Sequence, residues 1–304
     1  MKRPSVAILM ATYNGANYIA RQLDSLMEQT YPYWRLVVHD DGSTDDTLAI
    51  VNGYSARDPR IILLDDRVSK QGASKNYLHL LNEVDSDLYL FCDQDDIWLA
   101  NKIECMVNKI AGSQQPTLVY GNAYFYREGR VIDQKTTTIH PHTLRDSLFF
   151  NSGIQGCSMI INAQLLALLK PFPDVVAMHD HLLTMGAVAF GRIVYVDEVL
   201  MWYRQHALNV TGNQKLGYLT KIRAFFKSGK PVIDSAHFVA NQAFYSRYFP
   251  LLTGENRELF QAYFRYAHSR SVVKRITILI KNRFTLGDKK GVLILKTMLR
   301  KPIG

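Results

Sequence analysis

Few cysteines and no long apolar run mark this chain of 304 residues. Its three cysteines, Cys92, Cys105 and Cys157, are an odd number at spacings that match no zinc or redox motif. Each sits in an apolar stretch, which reads as a buried reduced thiol and excludes a disulfide framework. No window approaches the length of a membrane-spanning helix: the longest apolar runs, Ile276 to Ile280 and Gly291 to Leu295, are bracketed by lysine or arginine. The opening MKRPSVAILMATYNG has no small-residue cleavage site, so it reads as a first strand and not a signal peptide. No G-x-G-x-x-G follows that strand and no G-x-x-x-x-G-K-[ST] occurs, which removes the main support for Rossmann dinucleotide binding and P-loop chemistry. Internal repeats and low-complexity segments are also lacking.

What is present describes a folded chain with an uneven charge. The composition is 47% hydrophobic, 21% charged and 11% aromatic, enough for a sizeable core. The net charge of +9 is divided: residues 1–212 hold 18 Lys+Arg against 23 Asp+Glu, and residues 213–304 hold 18 against 4. An acidic front therefore carries a basic tail. Over the first 110 residues, short β-branched runs (Val6 to Met10, Leu36 to Val38, Ile61 to Leu64, Leu88 to Phe91) alternate with helical patterns, the signal for βαβ units and a parallel sheet. From about residue 115 the rhythm changes. Leu118 to Tyr120, Tyr124 to Tyr126, Gln155 to Ile161, Arg192 to Val196 and Val199 to Arg204 read as strands, His179 to Phe190 as a helix, and everything after Thr211 as helical and basic.

Ligands of open parallel sheets sit beyond the carboxyl ends of the strands. Those ends carry Thr12-Tyr13-Asn14, Asp40-Asp41, Asp65-Asp66 and Asp93-Gln94-Asp95-Asp96. So many carboxylates on one edge call for a cation, and hard oxygen ligands suit Mg²⁺ or Mn²⁺ together with substrate phosphates. Asp65 and Asp66 read as solvated turns. Asp93 to Asp96 read otherwise, because an apolar strand ends abruptly in three acids and resumes as Ile97-Trp98.

The runs Ala7 to Gly15, Val37 to Asp45 and Asp93 to Trp98, with Gly72, Lys75-Asn76, His179-Asp180 and Tyr203-Arg204-Gln205-His206, resemble family 2 glycosyltransferases of the GT-A fold, in the rhamnosyltransferase-like branch. The resemblance covers roughly residues 5–212. It implies an α/β catalytic domain over 1–212, with a mainly parallel sheet and flanking helices, followed by a helical basic extension over 213–304. It further implies that Thr12, Tyr13 and Asn14 line a nucleotide pocket, that Asp41 accepts the base's N3–H, that Lys75 and Asn76 face base or diphosphate, and that Asp93 and Asp95 hold ribose and metal. Asp180 would be the general base, and Trp98, Gly156, His179, Trp202 and Arg204 would face sugar or acceptor. The family's commoner basic residue is arginine, so Lys75 is a departure that weakens a bidentate phosphate role. His206 stands open as a metal ligand, a phosphate contact or a structural histidine, and the aromatic residues as sugar platforms or core.

The implied activity is an inverting, Mg²⁺- or Mn²⁺-dependent transfer from a nucleotide sugar, dTDP-L-rhamnose, to a polyprenyl-diphosphate-linked saccharide in cell-surface polysaccharide assembly, O-antigen or capsule. The alternatives are a nucleotidyltransferase and a non-catalytic membrane-surface protein. Residues 270–304 interleave basic and apolar residues, which reads as a helix lying on an anionic membrane or packing on the catalytic domain, with no nucleic-acid motif. The expected location is cytoplasmic, peripheral on the inner face of the plasma membrane.

Overall fold

The computed structural model describes residues 3–66, 68–205, 230–287 and 289–304. Packing separates two units that interleave along the chain. Unit 1 comprises Met1–Thr138, Ile154–Lys170 and Gly191–His206; unit 2 comprises Ile139–Gly153, Pro171–Phe190 and Ala207–Gly304. The expected boundary at 212/213 lies outside the described residues.

Unit 1 is a sheet with helices on its faces. β1 (Val6–Thr12) is the inner strand, and Val6 to Met10 are buried, as a strand covered on both faces requires. It pairs in parallel with β2 (Trp34–Asp40) and β4 (Leu88–Asp93), and β2 with β3 (Ile61–Leu63). The crossovers are α1 (Ile19–Met27), α2 (Thr47–Ser55) and α3 (Ala73–Glu83). In α1, Ile19, Leu23 and Leu26 fall on one buried face at helical spacing. The strands β5 (Ile97–Trp98), β6 (Thr117–Arg127), β7 (Arg130–Lys135), β8 (Met159–Asn162) and β9 (Arg192–Arg204) complete a sheet of order β3-β2-β1-β4-β8-β6-β9-β5, with β7 on β6. β8 runs against both β4 and β6, so the sheet is parallel at its N-terminal half and mixed beyond. Between them lie α4 (Lys102–Ile110) and α6 (Ala163–Leu169).

Two expected strand pairs are single strands. β6 runs through Gly121 because the backbone there meets Leu200, whose Cδ1 would lie 2.6 Å from a Cβ. β9 runs through Asp197-Glu198 as a bulge opposite it, where the register jumps between Tyr120 and Asn122. The strand expected from Gln155 begins at Met159, after a 3₁₀ turn at Gly156–Ser158.

Unit 2 is helical among the described residues: α5 (Leu144–Ser147), α7 (His179–Phe190), α8 (Ser235–Tyr248), α9 (Gly254–His268), α10 (Val272–Lys281) and α11 (Lys290–Leu299). Asp234, Thr253 and Ser271 cap α8, α9 and α10 with their side chains. The core is aromatic, with Phe149 4.9 to 5.2 Å from the rings of Tyr263, Tyr266 and Phe284. No helix among the described residues is long and apolar enough to cross a membrane.

Candidate functional site

The parallel register aligns the strand ends: Thr12 faces Asp40, and Ala11 faces Asp93. Beyond β1 the chain turns at Asn14, whose φ of +47° is left-handed. Its side chain holds that turn, with Oδ1 accepting the Thr44 N–H at 2.8 Å while the Asn14 N–H donates to Ser43 Oγ at 2.8 Å. Gln94 reaches across from β4, its Oε1 accepting the Tyr13 N–H at 3.0 Å and its Nε2 donating to the Tyr13 carbonyl at 2.9 Å. Gly15 leaves room for that amide, since a Cβ there would lie 2.2 Å from Gln94 Oε1. The Tyr13 ring is exposed, and the buried Thr12 Oγ1 has no hydrogen-bond partner among the described residues.

Asp41 accepts the backbone N–H groups of Gln71 and Gly72 at 2.7 and 2.8 Å, one on each oxygen. Each oxygen keeps a second lone pair for a donor in the pocket. Lys75 is exposed on the first turn of α3. Asn76 is buried and both ends of its amide meet His39: Oδ1 lies 2.8 Å from Nδ1, and Nδ2 donates to the His39 carbonyl at 3.3 Å. Its place is thus behind the pocket, orienting His39 and α3.

The acidic turn after β4 contains three unlike carboxylates. Asp93 is half-buried; burial, then the charge of Asp95, push its carboxyl up to about 6, against hydrogen bonds from Tyr77 and Cys157. The Tyr77 hydroxyl donates to Asp93 Oδ1 at 3.0 Å. Asp96 is fully buried: Oδ1 accepts the Arg204 N–H at 3.0 Å, Oδ2 has no hydrogen-bond partner among the described residues, and burial raises its pKa well above the carboxylate range. Beneath the turn lies Lys102, also fully buried, with Nζ donating to the Cys157 carbonyl at 2.6 Å and lying 3.8 Å from the Trp98 ring centroid. Burial brings its pKa down to about 8, opposed by the neighbouring thiols and acids. Asp93, Asp96 and Cys157 bring ligand atoms within 4.8 Å of one another. Burial raises the Cys157 thiol well above its ordinary range, which leaves carboxylate oxygens as the donors and suits a hard divalent cation. Burial first, and then the charges of neighbouring acids, raise both the Asp93 and the Asp96 carboxyls, and Asp96 Oδ2 is left without a hydrogen-bond partner among the described residues.

Arg204 ties the turn to β9. Its Nε donates to the Asp95 carbonyl at 2.6 Å, and its guanidinium lies 5.1 and 4.8 Å from the rings of Tyr18 and Tyr126. Trp202 stacks on Tyr126 at 5.8 Å. Trp98 is buried over Lys102 and Tyr203 is buried against Phe125, so these rings fill the core and present no face to a sugar. Gly156 is buried in the 3₁₀ turn beside Cys157. His206 lies outside the described residues.

Asp180 and His179 belong to unit 2, at the start of α7. Asp180 is half-buried, with Oδ1 accepting the His181 N–H at 2.6 Å. Gly153 packs against this helix start so closely that a Cβ would lie 2.5 Å from the Asp180 carbonyl. His179 and His181 are buried, and burial holds both down to about 3, hence neutral.

Sequence reasoning missed Lys102, Tyr77, Gln94 and Cys157. Lys102 looks like any lysine in the first turn of an amphipathic helix. Gln94 alone had a signal, its place inside the acidic run.

The family model for glycosyl transferase family 2 matches residues 7–169, more than half of the chain. The chain is 32% identical over 221 residues to the dTDP-rhamnosyl transferase RfbG of Shigella flexneri, covering 67% of this chain and 73% of that one. It is 32% identical over 168 residues to the Escherichia coli UDP-Glc:alpha-D-GlcNAc-diphosphoundecaprenol beta-1,3-glucosyltransferase WfgD, covering 55% of this chain and 62% of that one. Among solved structures, S. aureus TarS 1-349 in complex with UDP-GlcNAc aligns with a TM-score of 0.56 at 20% identity, covering 92% of this chain and 91% of that one. The fold is therefore the GT-A glycosyltransferase fold with added C-terminal helices, and the chain is a glycosyltransferase that belongs to glycosyl transferase family 2.

Proposed function

We propose that this enzyme moves L-rhamnose from dTDP-L-rhamnose to a hydroxyl of a lipid-linked saccharide, with inversion, in cell-surface polysaccharide assembly. The observation that carries it is the alignment of Asp41 beyond β2 with Asp93 and Asp95 at the end of β4, the two strands that flank β1, with the Asp93 carboxyl raised to about 6 by burial and by the charge of Asp95. The relative named as a dTDP-rhamnosyl transferase supports the donor, and WfgD, named for a diphosphoundecaprenol substrate, supports the lipid-linked acceptor.

Asp93 and Asp95 are the residues that would hold Mg²⁺ or Mn²⁺, which when bound supplies Lewis-acid stabilisation of the departing diphosphate. Asp41 orients the base through its remaining lone pairs, with Thr12, Tyr13 and Asn14 along the same edge. Lys75, exposed beside them, faces the diphosphate as a point charge. Arg204 and Lys102 keep the acidic turn in place through the Asp95 and Cys157 carbonyls. Asp180 takes the proton of the acceptor hydroxyl as its oxygen bonds to the anomeric carbon and the bond from that carbon to the phosphate oxygen breaks. One such displacement inverts the anomeric centre.

The basic helices support a membrane-facing location. Val273, Ile280 and Met298 are 74%, 62% and 59% exposed beside Lys274 and Lys281, while Leu279, Phe284 and Leu293 fill the core of unit 2. The test is product analysis with a nucleotide-sugar panel and a lipid-linked acceptor. Release of dTDP from dTDP-rhamnose, with the opposite anomeric configuration in the product, is expected; pyrophosphate release instead would identify a nucleotidyltransferase and overturn the reading.

A further inference from the structure

Residues 259–304 contain a single acidic side chain, Asp288, yet they bury an arginine. Arg275 on α10 is 4% exposed, and its Nε has no hydrogen-bond partner among the described residues. Its guanidinium donates through Nη1 to the Arg300 carbonyl at 3.3 Å and lies 5.8 Å from the Tyr266 ring. Among the described residues Arg275 has these contacts and no acidic partner, and a buried cation is normally paired. Arg275 lines an open groove of about 530 Å³ in unit 2, with Arg270, Arg300 and Lys301 as further cations and Val272, Met298 and Leu299 as apolar wall. Arg270, Lys301, Val272 and Met298 reach solvent.

We infer that this groove binds the phosphate or diphosphate headgroup of a lipid, with the lipid chain lying along its apolar wall. A guanidinium gives phosphate oxygens parallel N–H donors, and three more cations within one groove match a polyanionic head better than a single charge. The apolar wall distinguishes a lipid-borne phosphate from a free one. Met298 and Leu299 of the apolar wall are 59% and 48% exposed, so that wall is open to a lipid chain. The inference deepens the reading of the acceptor as lipid-linked and rests on it.

Co-sedimentation with phosphatidylcholine vesicles carrying farnesyl diphosphate tests it, beside the same vesicles carrying phosphatidylglycerol at equal charge. The full-length chain is expected to bind the diphosphate vesicles at least tenfold more tightly. Arg275→Gln is expected to remove that preference, and Arg270→Gln with Lys301→Gln to lower it about tenfold. The second variant changes only exposed side chains, so it remains informative if Arg275→Gln does not fold. Equal binding to both vesicles, or a preference untouched by the exposed double variant, overturns the site; so does binding of soluble pyrophosphate as tight as binding of the vesicles, which assigns the groove to free phosphate. The parent reading fails separately, by transfer that requires a soluble acceptor while the vesicle preference stands.

Discussion

The two units handle buried charge in opposite ways. In the sheet unit, buried acids lie close to a buried cation of the same unit: Lys102 lies under the turn that carries Asp93 and Asp96, and its charge opposes the rise of both carboxyls. In the helical unit, buried titratable groups are kept neutral, as His179 and His181 are, or a cation is buried with no acidic partner among the described residues, as Arg275 is. On the proposed reading, the first arrangement would receive a divalent cation and a diphosphate. The second provides a rigid aromatic body with a basic exterior, on which Asp180 and the C-terminal groove sit. Two units built on such different electrostatics should respond differently to substitution and to pH.

The largest difference is expected in catalysis. Asp180→Asn keeps the shape of the side chain and removes its basicity, so turnover should fall by a factor on the order of 10² to 10⁴ while donor affinity stays near its original value. Steady-state kinetics with a lipid-linked acceptor measure this, and a fall of less than tenfold would assign the proton transfer elsewhere.

The comparison sharpens with pH. His179 and His181 are held below their ordinary 6.5, at about 3, so the unfolded chain binds more protons through that window and helical-unit stability falls as pH drops from 6.5 toward 3. The loss should be roughly 1.4 kcal/mol per pH unit for each histidine. Asp93 has the opposite sign. Its carboxyl is raised from 3.8 to about 6, so without metal its share of stability is fully present below pH 4 and lost as pH rises to 6. Hydrogen exchange at pH 7 and pH 5 separates the two, with α7 losing protection at the lower pH and β4 gaining it relative to α7. Parallel changes in both units would break the contrast.

Much of the sheet unit was legible in the sequence, because alternation of β-branched runs with helical patterns and acids at the strand ends both follow from local spacing. The acidic turn stood out for the same reason. What was not legible depended on contacts between residues far apart in sequence. Asn76 points inward because His39 lies 37 positions earlier in the chain and engages both ends of its amide. Lys102 is buried because the Cys157 carbonyl arrives from 55 residues away. The same holds for Trp98, whose ring covers that ammonium, and for Gly121, whose place inside β6 follows from Leu200 on β9. In the helical unit, α7 packs through His181 and Phe190 on His237 and Phe244 of α8, more than 50 residues later, and no periodicity within α7 announces that.

Two smaller effects follow. Lys102→Ala removes a buried side chain and leaves the Cys157 carbonyl without its donor, which should lower unfolding stability by about 3 kcal/mol in denaturant titration. A cost below about 1 kcal/mol would mean that water takes its place. Gly153→Ala places a methyl group against the Asp180 carbonyl. The start of α7 must shift, so turnover should fall several-fold with donor affinity unchanged. Unaltered kinetics would show that Asp180 tolerates the displacement.

The most direct measurement is calorimetric titration of dTDP-rhamnose with Mn²⁺ into the wild type, Asp95→Ala and Asp180→Asn. If donor binding resides in the sheet unit and proton transfer in the helical unit, Asp95→Ala loses metal-dependent binding and Asp180→Asn binds as the wild type does. Undiminished binding by Asp95→Ala, or its loss in Asp180→Asn, would contradict that division.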